Sequence, residues 1–148
     1  MISVLEGLAG ALVIGVALLD VFQSVVTPRP VAGRLRVSRH STRLLWSGCR
    51  WLALRQSDTR IREGLLGSFG PAIVLVYLAL WLVLLVLGYG LVIDALAGQI
   101  RPHPADLGTS LYFAGTSLFT IGFGDYVGTT ALARAVSLVA GATGLGSV

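Results

Sequence analysis

The residues best placed to do chemistry in this 148-residue chain are six in a row, Thr120-Ile121-Gly122-Phe123-Gly124-Asp125. None of them is a nucleophile with a base beside it. The useful atoms are backbone oxygens. Glycine at alternate positions, 122 and 124, lets a backbone take left-handed or otherwise unusual dihedrals at little steric cost. Such a backbone can turn the carbonyls of Thr120, Ile121, Gly122 and Phe123 toward one axis, with the Thr120 hydroxyl adding an oxygen at the inner end. Oxygens held that way replace the water shell of a dehydrated cation. Ile121 and Phe123 are then expected to point away from the axis and brace the segment, and the Asp125 carboxylate to draw cations to its outer end.

Other chemistries lack their parts. Cys49 is alone, so it forms no intrachain disulfide. His40 and His103 are far apart, and neither has a partner at metal-ligand spacing. Gly141–Gly146 is glycine-rich, but it follows no strand and carries no lysine, so it is not a phosphate-binding loop. No Ser-His-Asp set is present. The sequence reads as non-enzymatic and without a cofactor, the cation itself being the permeant species.

The elements that must hold the six residues are apolar. Hydrophobic residues make up 55% of the chain and charged ones 12%, where a soluble domain carries about 25% charged. Ile73–Ile93 has no charge and no proline, and Val4–Val26 is broken only by Glu6, Asp20 and Gln23. Ala131–Val148 is a third apolar run, with Arg134 near its start. A helix needs roughly 20 residues to cross the hydrocarbon core. Leu107–Phe119 is helical in pattern but too short to cross, with Asp106 as its N-cap. A short helix leading into open backbone at membrane depth is tolerated only where protein covers it or water meets it. Its C-terminal, negative dipole end favours a cation.

Charge sets the expected topology. All eleven basic residues are arginines, nine of them between Arg29 and Arg62. Short basic loops stay in the cytoplasm. Residues 29–66 are therefore expected inside, the N-terminus outside, and the segment around 98–128 on the outer face of a cell membrane. Pro28 and Pro30 stop the first helix. Across Arg34–Arg55, tryptophans and leucines mix with arginines, the pattern of an amphipathic helix on the inner leaflet that meets anionic lipids through Arg34–Arg62. So short a tethered stretch argues against nucleic-acid binding. Gly7, Ala11 and Gly15 are expected to form a small-residue packing face on the first helix. Asp20, costly in a span, is expected to meet an arginine of the linker or a helix end.

The order Thr-Ile-Gly-Phe-Gly-Asp resembles the selectivity filter of the potassium channel superfamily, usually Thr-Val-Gly-Tyr-Gly-Asp. From about Phe69 to Val148 the chain is similar to the two-helix pore module of that family. The resemblance implies an all-α membrane protein, tetrameric around a central pore. Its layout is an N-terminal transmembrane helix over 1–28, an Arg-rich linker over 29–66 and a pore domain over 67–148. Within the last are an outer helix at 69–97, a pore helix at 107–119, the filter at 120–125 and an inner helix at 130–148. Tyr112 and Phe113 match the paired aromatics of the family's pore helix, and with Thr116 they are candidates for filter support. Tyr112 can supply the hydroxyl that Phe123 lacks. Gly141 and Gly144 are candidates for the flexible glycine of the inner helix. The departures are Phe119 before the filter, Thr116 where some relatives carry a glutamate, and Gly128 in place of a proline.

The implied function is a potassium-selective channel subunit that conducts as a homotetramer. The alternatives are a weakly selective cation channel, from Phe119, Phe123 and Gly128, or a non-conducting subunit that assembles with a longer partner. The last follows from the small-residue tail Gly141–Val148, which suggests an incomplete inner helix.

Overall fold

A computed structural model describes residues 2–25 and 59–147 of the chain, with side chains for 3–24 and 70–146. The amphipathic helix expected over Arg34–Arg55, the lipid-binding arginines of 34–62, His40 and Cys49 lie outside the residues so described. Four helices dominate: α1 (Ile2–Val25), α2 (Thr59–Ala95), α3 (Leu107–Leu118) and α4 (Ala131–Ser147). Within α1 and α2, Ser3–Ser24 and Gly70–Ala95 are long and apolar enough to cross a membrane. Two compact units divide the chain, one of residues 1–21 with 81–148, the other of 22–80.

Helix α2 starts earlier than the expected boundary at 69 and ends at Ala95 rather than 97. It has 37 residues, about 55 Å of rise. Arg, Leu and Glu before Pro71 are good helix formers, and a proline withholds only one N–H, so the helix continues through the Gly70-Pro71 pair. At the other end the Leu96 amide is shared between the carbonyls of Val92 and Ile93. The chain then tightens into a 3-10 turn, Ala97–Gln99.

In the first unit α1 runs antiparallel to α2, with Gly7 beside Ala95, Gly10 beside Gly88 and Asp20 beside Trp81. The two backbones nearly touch at the middle pair. A Cβ on Gly10 would fall 2.5 Å from the Gly88 carbonyl oxygen, and one on Gly88 would fall 2.7 Å from Ile14 Cγ1. The small-residue face expected at Gly7, Ala11 and Gly15 is therefore corrected. Ala11 is exposed and nothing approaches Gly15 within 4 Å. Steps of four residues rotate around the helix by about 40° each. The alternating steps 7, 10, 14, 17 hold one stripe, and that stripe meets α2. Asp20 is 2% exposed and accepts a 2.9 Å hydrogen bond from Trp81 Nε1; the linker arginines from Arg29 to Arg55 that it was expected to meet lie outside the described residues.

Helix α2 presents glycines on two faces. Gly88 admits α1, while Gly90 admits α3, since a Cβ there would fall 2.4 Å from Leu111 Cδ2. The core of this unit gathers Leu85, Tyr89 and Ile93 of α2, Phe113, Ala114 and Leu118 of α3, and Ala133 and Ala140 of α4. Hydrogen bonds add to it. Ser110 Oγ, fully buried, donates to Asp94 Oδ1 at 2.8 Å. Tyr89 and Thr143 hydroxyls meet at 2.6 Å, and Thr143 in turn donates to the Val139 carbonyl.

The fold is mostly helical rather than purely so. Strand β1 (Ile100–Arg101) pairs antiparallel with β2 (Val127–Gly128), Ile100 opposite Gly128 and Arg101 opposite Val127. Thr129 extends the tie by donating its amide and its hydroxyl to the Gln99 carbonyl, at 2.9 and 2.8 Å. This clamp joins the loop before α3 to the loop after Asp125, so the intervening helix and open segment form a closed excursion.

Candidate functional site

Helix α3 starts where the sequence places it. Asp106 is extended at the N-cap, and its Oδ1 accepts from the Thr109 amide and the Thr109 hydroxyl, both at 2.8 Å. These bonds, the amide first, hold the Asp106 carboxyl below its ordinary 3.8. The helix buries Ser110, Phe113, Ala114, Thr116 and Leu118, residues at the three- and four-residue spacing of one helical face.

The helix ends at Leu118, and Phe119 is its C-cap, with its amide on the Gly115 carbonyl at 2.9 Å. From there the backbone turns back on the last helical turn. Thr120 N donates to Ser117 O at 3.0 Å. Ile121 N and Gly122 N both donate to Thr116 O, at 2.9 and 3.3 Å. Carbonyls that a helix C-terminus leaves open are thus taken up by the candidate segment itself. Thr116 supports the segment through this carbonyl, while its hydroxyl turns inward to the Phe113 carbonyl at 3.0 Å.

Thr120, Gly122 and Gly124 have φ of 56°, 56° and 78°, and among the described residues Thr120 is the one non-glycine in that region. A β-branched residue with positive φ is a conformational outlier. Nothing lies within 4 Å of a Cβ at either glycine, so the backbone dihedral, and not crowding, is what favours glycine there. Positive φ at alternate residues breaks the ordinary geometry of a strand, in which successive peptides face opposite ways.

Ile121 and Phe123, expected to brace the segment, are 55% and 67% exposed within one chain. The Tyr112 ring lies parallel to that of Phe123 at 6.4 Å. The Thr120 hydroxyl donates to the Phe119 carbonyl at 2.7 Å, a local bond that β-hydroxyl side chains readily make.

Around Asp125 an aromatic cluster forms. The Tyr112 hydroxyl donates to the Asp125 carboxylate, and this bond is the main cause holding the Tyr112 phenol above its ordinary 10.0. Asp125 Oδ1 also accepts from the Tyr126 amide at 3.1 Å. Tyr126, absent from the residues singled out by sequence, sits edge-on to Tyr112 and tilted against Phe113, each at 6.2 Å. Its signal was faint: one aromatic residue directly after the aspartate.

Gly128 and the inner-helix glycines each have a contact reason. A Cβ on Gly128 would fall 2.9 Å from Arg134 N, and the Gly128 carbonyl accepts from Arg134 Nε at 2.9 Å. Helix α4 is unbroken through Gly141 and Gly144. Both glycines face the end of α3: a Cβ on Gly144 would fall 1.8 Å from Leu118 O, and one on Gly141 would fall 3.3 Å from Ser117 O.

Among the described residues no group of three or more His, Cys, Asp or Glu could hold a metal ion.

No curated protein and no solved structure matches the chain. A family model described as an ion channel matches residues 65–148, more than half of it. That span holds most of α2 and all of α3, the open segment and α4. The chain, with two membrane-length apolar helices and a short helix leading into open backbone, belongs to this ion-channel family.

Proposed function

We propose that four copies of this chain surround one axis and form a potassium-selective pore. Residues 120–125 are its filter, α3 its pore helix, and α2 and α4 its outer and inner helices. The carbonyls of Thr120, Ile121, Gly122 and Phe123 from four chains stack as rings that replace the hydration shell of potassium. One chain supplies a quarter of each ring and coordinates nothing alone. The observation that carries the reading is the positive φ at Thr120, Gly122 and Gly124, alternating with ordinary dihedrals directly after a helix whose last carbonyls hold the segment.

The exposure of Ile121 and Phe123 fits the same assembly, because a neighbouring chain is what covers them. The Tyr112–Asp125 hydrogen bond supplies the brace that Phe123, lacking a hydroxyl, does not. The C-terminal end of α3 directs partial negative charge toward the ion's inner approach, and Asp125 does so at the outer mouth. The arginines of 29–62 hold that stretch in the cytoplasm, which puts the N-terminus and the clamp between β1 and β2 outside.

Reconstitution of the purified chain under opposed potassium and sodium gradients tests this. A potassium-selective current from tetramers is expected. Current that reverses near zero in mixed salts would instead mark a weakly selective cation channel, and tetramers without any flux would sink the conducting reading.

A further inference from the structure

The two glycines read from sequence as a possible hinge sit where the inner helix meets the last turn of the pore helix. Gly144 is buried. A Cβ there would lie 1.8 Å from the Leu118 carbonyl oxygen and 2.8 Å from its carbon. Both are backbone atoms, and neither can swing aside as a side chain would. One turn earlier, a Cβ on Gly141 would lie 3.3 Å from Ser117 O and 3.7 Å from Thr120 Cγ2.

The carbonyls at the end of α3 are therefore divided between two tasks. Those of Thr116 and Ser117 hold the amides of Thr120, Ile121 and Gly122, while that of Leu118 lies against Gly144. Thr120 itself sits at φ 56°. A β-branched residue stays in such a conformation only when its surroundings over-determine it. Its amide bond to Ser117 O and its hydroxyl bond to Phe119 O supply part of that. Gly141 faces Ser117 O, the carbonyl that holds the Thr120 amide.

We infer that Gly141 and Gly144 are positioning residues for the filter: the inner helix sets the backbone of Thr120, the innermost ion ring, by direct contact with the end of the pore helix. The proposal rests on the filter reading and adds a cause for its geometry. Neither glycine touches the ion. An inner helix that shifts along α3 changes the Thr120 ring, so selectivity depends on the seating of α4 as well as on the six filter residues. A hinge, by contrast, alters how often a pore opens and leaves its ion preference alone.

The test is the ratio of potassium to sodium permeability in reconstituted full-length tetramers. Gly141→Ala brings its methyl to 3.3 Å from Ser117 O, the acceptor of the Thr120 amide, and the ratio is expected to fall about tenfold, the scale of one overpacked methyl. Gly146→Ala, where nothing lies within 4 Å of the added Cβ, is expected to leave it unchanged. Gly144→Ala is expected to be harsher, with loss of tetramer or of selectivity. An assembled Gly141→Ala tetramer with the wild-type ratio overturns the proposal and leaves the filter assignment standing. A wild-type chain without selective flux removes the filter reading, and this inference with it.

Discussion

Gly122 is constrained by one dihedral. Its φ of 56° with nothing near the Cβ position means that Gly122→Ala adds no clash, only left-handed strain of about 1–2 kcal/mol in each chain. Repeated in four chains, that strain is expected to abolish selective conduction while tetramers still form. Unchanged potassium selectivity in the variant would contradict the role given to the segment. Tyr112 is constrained differently, by its hydroxyl on Asp125. That bond favours the protonated phenol and raises its pKa above 10.0. Its contribution is complete below pH about 10 and is lost as pH rises through the raised value. Tyr112→Phe keeps the ring beside Phe123 but removes the bond. Currents in the variant are expected to decay faster at pH 7 and to lose the alkaline sensitivity of the wild type, measured by repeating the recordings up to pH 11.

At the scale of elements, the packing of α1 on α2 is the least expected arrangement and the easiest to test. A Cβ on Gly7 would lie 3.4 Å from Ala95 Cβ, close to the separation that a disulfide spans. Cysteines at 7 and 95, with Cys49 replaced by serine, are expected to cross-link within one chain under mild oxidation. Gly10→Leu is expected to suppress the link, because its side chain has no room beside the Gly88 carbonyl. Failure of the first pair to link would contradict the antiparallel register. Trp81→Phe removes the indole donor to buried Asp20. Hydrogen bonds between membrane helices contribute about 1 kcal/mol, so a fall of a few degrees in melting temperature in detergent is expected. Trp81→Phe should cost little once Asp20 is already leucine, a double-mutant comparison that separates the bond from the ring's packing.

For the whole molecule, what reads plainly from a single chain is its periodicity and its punctuation. The extent of α1, the start of α3 at its Asp106 cap, the open segment after Leu118 and the start of α4 all follow from local rules about apolar length, capping and glycine. The outer-helix boundary did not, because residues 59–68 mix arginines with glycine and apolar residues and carry no clear start signal, and only the continuous helix shows that it begins at Thr59. The clamp between β1 and β2 was also hidden. Strands of two residues carry no periodicity, and their pairing joins positions that are distant in sequence.

The amino-acid sequence by itself picked out the open segment 120–125, showed that two apolar runs reach membrane length, and showed that a helix too short to cross leads into that segment. These depend on residue type and spacing alone. The tertiary structure decided what the small residues are for. Gly10 and Gly88 admit two backbones to each other, Gly90 admits Leu111, and Gly128 admits the first turn of α4. Gly141 and Gly144 face the end of the pore helix. A glycine's sequence neighbours reveal that its backbone is free, whereas the atom that would meet its Cβ belongs to another element, and only the fold brings that atom within reach.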